Sequence, residues 1–230
     1  MRRNQWTIGL TGPERLRGWI FFALYVIAFP FLMAWVQRSF PTEWPVAEAN
    51  VVYYLLVAVL LFLLLWSFLR ENFSLLLDWL PENLFALATG LFGAAVLQLL
   101  AMLIPYPVDN PNTASYAAEY MLAPQATLVI LVILMPLVEE VLFRGLLFGC
   151  VRGYSRPLAW VLSVVLYCVY CVWQFTFAYG TFDLRYLALM AQYLPMAAAL
   201  TWCYDMGGSI WTPVLLHAAI NGFTLYSAIH

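Results

Sequence analysis

Seven long apolar runs alternate with short polar or helix-breaking segments along the chain. Each run is close to the roughly 20 residues that an α-helix needs to cross the hydrocarbon core of a bilayer. Most of the segments between them hold prolines or a glycine pair, which end helices. The segment 205–230 contains Gly207, Gly208 and Pro213, which leaves an eighth span open. We therefore predict an all-α, polytopic membrane helical bundle of about seven or eight transmembrane helices. The runs lie at about 18–36, 50–69, 84–105, 126–148, 157–178, 186–204 and 209–228.

Composition agrees with this pattern. The 230 residues are 65% hydrophobic and 10% charged, whereas soluble domains are roughly 45–50% apolar and about 25% charged. So few charges cannot cover a soluble surface, and disorder would need the opposite bias. The net charge of −2 and the lack of lysine exclude nucleic acid as a partner. We expect one transmembrane domain over 1–230, in contact with the lipid bilayer.

The cysteines do not indicate a disulfide framework, because all four lie in or beside apolar runs. Cys168 and Cys171 form a C-x-x-C pair, which can serve redox or metal chemistry. The interpretation that we favour is two small apolar residues on a membrane helix.

The arginines predict the orientation of the chain. If the N-terminus is cytoplasmic, only Arg38 and Arg185 fall on the outer side. Seven arginines against two fit the positive-inside rule. The polar segment from about 106 to 125 is then an external loop. The seven arginines on the inner side are Arg2, Arg3, Arg15, Arg17, Arg70, Arg152 and Arg156.

Three charged residues lie inside an apolar run. Glu139, Glu140 and Arg144 fall within six positions, although each charge at a helix centre costs ~2.5–3.5 kcal/mol on insertion scales. Glu140 and Arg144 are four apart, so they share a helix face and can pair. Glu139 points about 100° away and is left over. Burial without a partner favours the protonated form of a carboxylate, so Glu139 can act as a general base. The alternative interpretation is that the three charges form an ion cluster that only holds helices together.

A second polar pair lies near the end of the chain. His217 and Asn221 are also four apart on one helix face, and inside a membrane such groups should point at a partner or a cavity. His230 is the only other histidine, and the H-E-x-x-H motif of zinc peptidases is absent. We expect no metal and no cofactor.

Together these motifs resemble those of the CAAX-protease and bacteriocin-processing family of intramembrane peptidases. Glu139-Glu140-x-x-x-Arg144 is similar to the family's first motif, and His217-x-x-x-Asn221 to its last. The resemblance covers a family-like core of about 126–228. It implies that Glu139 activates a water molecule, that Glu140 and Arg144 support it, and that His217 and Asn221 stabilise the oxyanion.

This chain departs from the middle motif of the family. The family has an aromatic residue, three residues and then a histidine, whereas this chain has Tyr170 followed by Gln174. Glutamine can hold a water molecule through hydrogen bonds, but it cannot carry a proton near neutral pH. Since acid–base help is typically worth 10²–10⁴-fold, Gln174 predicts an attenuated site or an inactive one.

Three functions stay open on the sequence alone. The first is a CAAX-protease-like, glutamate-type intramembrane endopeptidase that cleaves a peptide or a membrane-associated protein. The second is a catalytically inactive family member that serves as a peptide-binding, bacteriocin-immunity or scaffold protein. The third is a transporter that uses the glutamates as an ion site, although no internal repeat of the kind many transporters show is visible. The short chain resembles bacterial members of the family, so we expect a plasma-membrane protein; its oligomeric state is open.

Overall fold

The structure is a computed structural model that describes residues 9–39, 46–177 and 182–229. Within these ranges the ordered elements are helices, and no strand is present. This confirms the predicted all-α helical bundle. That the chain forms one domain over 1–230 stays a prediction.

The described residues of the first half of the chain form five α-helices. Thr11 begins α1 with a reciprocal cap, in which its hydroxyl accepts from the Glu14 backbone and the Glu14 carboxylate accepts from the Thr11 backbone. In chain order the elements are α1 Gly12–Ala23, a π-helical turn Leu24–Ala28, α2 Phe29–Ser39, α3 Val46–Leu64, α4 Trp66–Asp78 and α5 Leu80–Ala101.

The second half is built around one long helix, Pro124–Arg152, which we call the central helix. It alternates α-helical and π-helical segments, and π-helical turns often occur at functional sites. The elements are α6 Pro111–Leu122, α7 Pro124–Leu128, π Val129–Leu134, α8 Met135–Glu140, π Val141–Phe148, α9 Gly149–Arg152, α10 Arg156–Val172, 3₁₀ Trp173–Thr176, 3₁₀ Leu184–Leu189, α11 Met190–Gly207 and α12 Trp211–Ile229.

The central helix is enclosed by the other helices. About 67% of its most apolar window is buried, against 17–28% for the other three helices that are long and apolar enough to cross a membrane. Those three present leucine, valine and phenylalanine side chains outward, as helices do that face lipid. The polar residues of the central helix are thus shielded from lipid.

Fewer helices qualify as membrane spans by length and composition than the seven or eight predicted, so the number of spans stays a prediction. Four helices of the described residues qualify by length and composition, or up to five if α3 and α4, which are bent by 86° at Leu65, form one broken span. Helices α11 and α12 are not among them, although they coincide with two predicted runs. The polar residues of these two helices, which include Asp205, His217 and Asn221, lower their mean hydropathy. These side chains face protein instead of lipid.

The segment expected to be an external loop is partly helical. Asn110 caps α6 by accepting from the backbone of Asn112, and α6 buries none of its side chains fully. Such a helix lies at the surface of the bundle instead of inside it.

Polar contacts define one end of the bundle, which we call the arginine end. Arg152 and Arg156 both bind Asp205, at 3.0 and 2.8 Å. Asn72 of α4 accepts from the backbone of Ile210 at 2.9 Å, in the turn between α11 and α12. Helix α4 therefore closes this end.

Candidate active site

The opposite end of the bundle, which we call the cavity end, holds a cavity of about 940 Å³. Its lining combines residues from the beginning of the central helix and the ends of α10 and α12. Glu139, Gln174, His217 and Asn221 all contribute to it. Four residues singled out from three separate sequence motifs thus surround one space.

Glu140 and Arg144 lie deeper and form the ion pair that their spacing predicts. The Arg144 Nη1 atom is 3.1 Å from Glu140 Oε1, and both side chains are 0% exposed. Arg144 also donates to the carbonyl of Ala197 at 3.1 Å, and its guanidinium lies 4.4 Å from the centre of the Tyr167 ring. Neither residue lines the cavity, so this pair acts from behind the site.

His217 connects the ion pair with the cavity. Its Nδ1 atom is 2.7 Å from Glu140 Oε1, while Nε2 lies 3.5 Å from the Tyr167 hydroxyl and 3.9 Å from Glu139 Oε2. An ionised Glu140 can only accept, so Nδ1 then carries a proton and Nε2 is the nitrogen on the Glu139 side. Glu140 thereby fixes the orientation of the imidazole ring.

The sequence suggested that Glu139 has no partner, but the structure gives it two. The Tyr167 hydroxyl donates to Oε2 at 2.9 Å, and the Tyr170 hydroxyl donates to Oε1 at 3.3 Å. Glu139 is 4% exposed, yet it reaches the cavity. Two hydroxyl donors hold an acceptor-only carboxylate in a fixed position at the cavity wall.

The last two predicted residues have different surroundings. Asn221 donates through Nδ2 to the carbonyl of Leu131 at 2.9 Å, in a π-helical segment of the central helix. Gln174 lies two positions after the last residue of α10, in a 3₁₀ turn. Gln174 lines the cavity.

Sequence reasoning missed Tyr167 and gave Tyr170 no role beyond its place in the middle motif. Tyr167 and Tyr170 stand three apart on α10 and share a face with Cys171 and Gln174, so the spacing was a usable signal. Tyr25 extends this network, because its hydroxyl lies 3.0 Å from that of Tyr170 and can donate to it while Tyr170 gives its own proton to Glu139. That contact joins α10 to the first helical segment, which no local pattern indicates.

Other candidate chemistry is not assembled in the described residues. All four cysteines are free, and Cys168 is buried. No group of three or more histidine, cysteine, aspartate or glutamate side chains within these residues is placed to hold a metal ion. His230 lies outside the described residues.

The fold and this site define a class of protein. Apolar helices long enough to cross a membrane enclose two glutamates, an arginine and a histidine beside a cavity, as in integral membrane proteins with a buried polar site. Residues 122–223 match the family model of the type II CAAX prenyl endopeptidases, Rce1-like. This match confirms the resemblance over the segment that carries both motifs. No curated protein and no solved structure matches the chain.

Proposed function

We propose that this protein is an intramembrane endopeptidase in which Glu139 activates water. The family indicates a CAAX-protease-like membrane endopeptidase that acts on a membrane-associated peptide. The observation that carries the finer proposal is the position of Glu139, which two tyrosine hydroxyls hold at the cavity wall beside His217. A general base must be within hydrogen-bond reach of the proton that it takes, and the wall of a cavity allows a water molecule that reach.

The reaction needs one water and one peptide bond. Glu139 takes a proton from the water as its oxygen attacks the carbonyl carbon, which gives a tetrahedral oxyanion. When the C–N bond breaks, the protonated Glu139 gives that proton to the leaving amine. The products are a carboxylic acid and an amine, and Glu139 returns to its starting state.

The remaining polar groups stabilise the intermediate in this proposal. Asn221 keeps one amide hydrogen beyond the one given to Leu131, and it can donate to the oxyanion. His217 donates there when both of its nitrogens are protonated, with Glu140 holding the first of them. Gln174 orients the attacking water by hydrogen bonds without exchanging protons with it.

The test is peptide cleavage by the purified protein in proteoliposomes. Glu139→Gln keeps the size and the hydrogen-bond acceptor but removes the base, so we expect turnover to fall by at least ~10²-fold. Glu82→Gln, at an exposed position of α5, is the matched control and should cleave normally. Equal cleavage by Glu139→Gln and the unaltered chain would reject the proposal.

Gln174 favours one other function, that of an inactive family member that binds peptides. Its carboxamide can contact a peptide but cannot titrate. Gln174→His separates the two: cleavage that appears only in this variant would identify the unaltered chain as a binding protein. Full cleavage by the unaltered chain would exclude that function.

We also propose that the arginine end faces the cytoplasm of a bacterial cell and that the cavity opens on the opposite side. Arg152 and Arg156 lie at the arginine end with Asp205, whereas Arg185 follows α10 at the cavity end. A membrane-impermeant maleimide added to spheroplasts should label the variant Ala114→Cys, whose position is exposed on α6. It should not label Tyr154→Cys, although Tyr154 is 91% exposed, because this position lies at the cytoplasmic end. The reverse labelling would overturn this orientation.

A further inference from the structure

Tyr25 reaches the cavity from the first helical segment of the chain. It lies in the π-helical turn Leu24–Ala28, between α1 and α2, and is only 3% exposed. Its side chain nevertheless lines the cavity. The other polar groups of the site all lie within 122–223, the range that matches the family model. The first helical segment thus contributes a polar group to the site from outside that range.

Aromatic packing fixes Tyr25 relative to Glu139. The rings of Tyr25 and Tyr170 stack with their centres 5.8 Å apart and their planes 29° apart. Beside them, Phe22 packs edge to face on Phe143 at 5.1 Å, and Phe143 lies 5.2 Å from the Tyr170 ring. Phe143 follows Glu139 by four positions on the central helix. Stacked and edge-to-face rings at such distances attract each other, so these contacts hold α1, α10 and the central helix in register.

The hydrogen bonds of Tyr170 give the network a direction. Its hydroxyl lies 3.0 Å from the Tyr25 hydroxyl and 3.3 Å from Glu139 Oε1. A hydroxyl has one proton and two lone pairs, whereas an ionised carboxylate can only accept. Tyr170 therefore gives its proton to Glu139 and accepts the proton of Tyr25. A donor placed behind a donating hydroxyl polarises it and strengthens its bond, so Tyr25 acts on Glu139 through Tyr170.

We propose that Tyr25 is a positioning residue of the active site, which keeps the Tyr170 proton directed at Glu139. The inference rests on the proposed function, because Glu139 is the base of that reaction. Tyr167 holds the other oxygen of the carboxylate at 2.9 Å, and Tyr25 secures the second of these two contacts. The first helical segment then serves the reaction as well as the packing of the bundle.

The experiment is a double-mutant cycle on peptide cleavage in proteoliposomes. Tyr25→Phe keeps the ring and its packing but removes the hydroxyl. We expect kcat to fall about 3- to 10-fold with KM unchanged, because the hydroxyl acts on the base and not on the bound peptide. Tyr170→Phe should lower kcat about tenfold. Adding Tyr25→Phe to Tyr170→Phe should have no further effect, because the path from Tyr25 to Glu139 is then already absent.

Tyr204→Phe is the matched control. Tyr204 is 2% exposed and packs on Phe148, but it does not line the cavity. Its variant measures the effect of losing a buried tyrosine hydroxyl elsewhere, and kcat and KM should both stay unchanged. Three results would overturn the inference: an unchanged kcat of Tyr25→Phe, a change in its KM instead, or an equal effect of Tyr25→Phe with and without the Tyr170 hydroxyl.

Labelling of Glu139 by dicyclohexylcarbodiimide is a readout that does not need cleavage. This apolar reagent attaches to carboxyl groups at membrane depth, and mass spectrometry of the digested protein locates the adduct. Loss of a tyrosine hydroxyl loosens one oxygen of Glu139, so we expect faster labelling of Glu139 in Tyr25→Phe and in Tyr170→Phe. The double variant should be labelled at the rate of Tyr170→Phe. Equal labelling of Glu139 in Tyr25→Phe and the unaltered chain would contradict the inference.

The two proposals fail in different ways. If the unaltered chain cleaves no peptide faster than Glu139→Gln does, the proposed function is wrong, and the labelling rates alone decide whether Tyr25 positions Glu139. If peptides are cleaved but Tyr25→Phe changes neither kcat nor the labelling of Glu139, the enzyme stands and the inference about Tyr25 falls.

Discussion

Replacing Arg144 by methionine is the most direct test of the buried ion cluster. Methionine keeps much of the apolar stem but removes the guanidinium that binds Glu140 at 3.1 Å and the Ala197 carbonyl at 3.1 Å. Glu140 is 0% exposed, so it would be left as a buried carboxylate with only His217 near it. Removing one partner of a buried pair costs about 3–5 kcal/mol, because the other charge stays uncompensated.

The assay is thermal unfolding of the purified protein in mild detergent. For chains of 150–250 residues, 1 kcal/mol corresponds to about 2–4 °C in Tm. Arg144→Met should therefore lower Tm by roughly 6–20 °C. Loss of the contact with the Tyr167 ring contributes to the same change.

A double variant separates charge from packing. Glu140→Gln together with Arg144→Met leaves no buried charge in the pair, and the carboxamide oxygen introduced in place of the carboxylate could still accept from His217. We expect this variant to be at least as stable as Arg144→Met alone. Two results would refute the uncompensated charge as the cause. One is a Tm of Arg144→Met within 2 °C of that of the unaltered chain. The other is a decrease in Tm of the double variant that equals the sum of the decreases caused by the two single variants.

Three further variants test packing and the site. Gly145→Ala places a Cβ atom about 2.8 Å from a buried phenylalanine ring and should lower the free energy of unfolding by ~1–3 kcal/mol. Gly93→Ala meets no atom within 4 Å and should leave the free energy of unfolding unchanged. Equal stabilities of the two variants would contradict this prediction. Tyr167→Phe removes the closer donor to Glu139 and should lower kcat about 10–100-fold without a change in KM, measured by peptide cleavage. Asn72→Ala leaves a buried backbone N–H without its acceptor and should cost ~1–3 kcal/mol in a denaturant titration, a loss that Asn72→Asp should partly avoid.

The local part of the site could be predicted from the sequence. Helical periodicity alone places Glu140 and Arg144 on one face, and the structure has that ion pair. The same periodicity directs Glu139 elsewhere. These predictions succeed because they depend on backbone geometry within a single turn of helix.

Contacts between helices could not be predicted in this way. Tyr25 and Tyr170 meet across 145 positions of the chain, and nothing in either local sequence indicates the other. The bend at Leu65 was also missed, because it interrupts an apolar run that contains neither proline nor glycine. Tertiary packing decides both features, so they need a structure.

The adjacency of the two glutamates has a physical consequence for the site. Neighbouring residues of a helix point about 100° apart, so one dyad supplies carboxylates to two different environments. Glu140 turns inward, where Arg144 and His217 compensate its charge, and Glu139 turns to the cavity, where hydroxyl groups hold it. His217 contacts both environments through its two nitrogens. The buried pair therefore sets the position of the imidazole that faces the cavity, and this explains why three charges lie together in a segment where apolar residues would insert at lower cost.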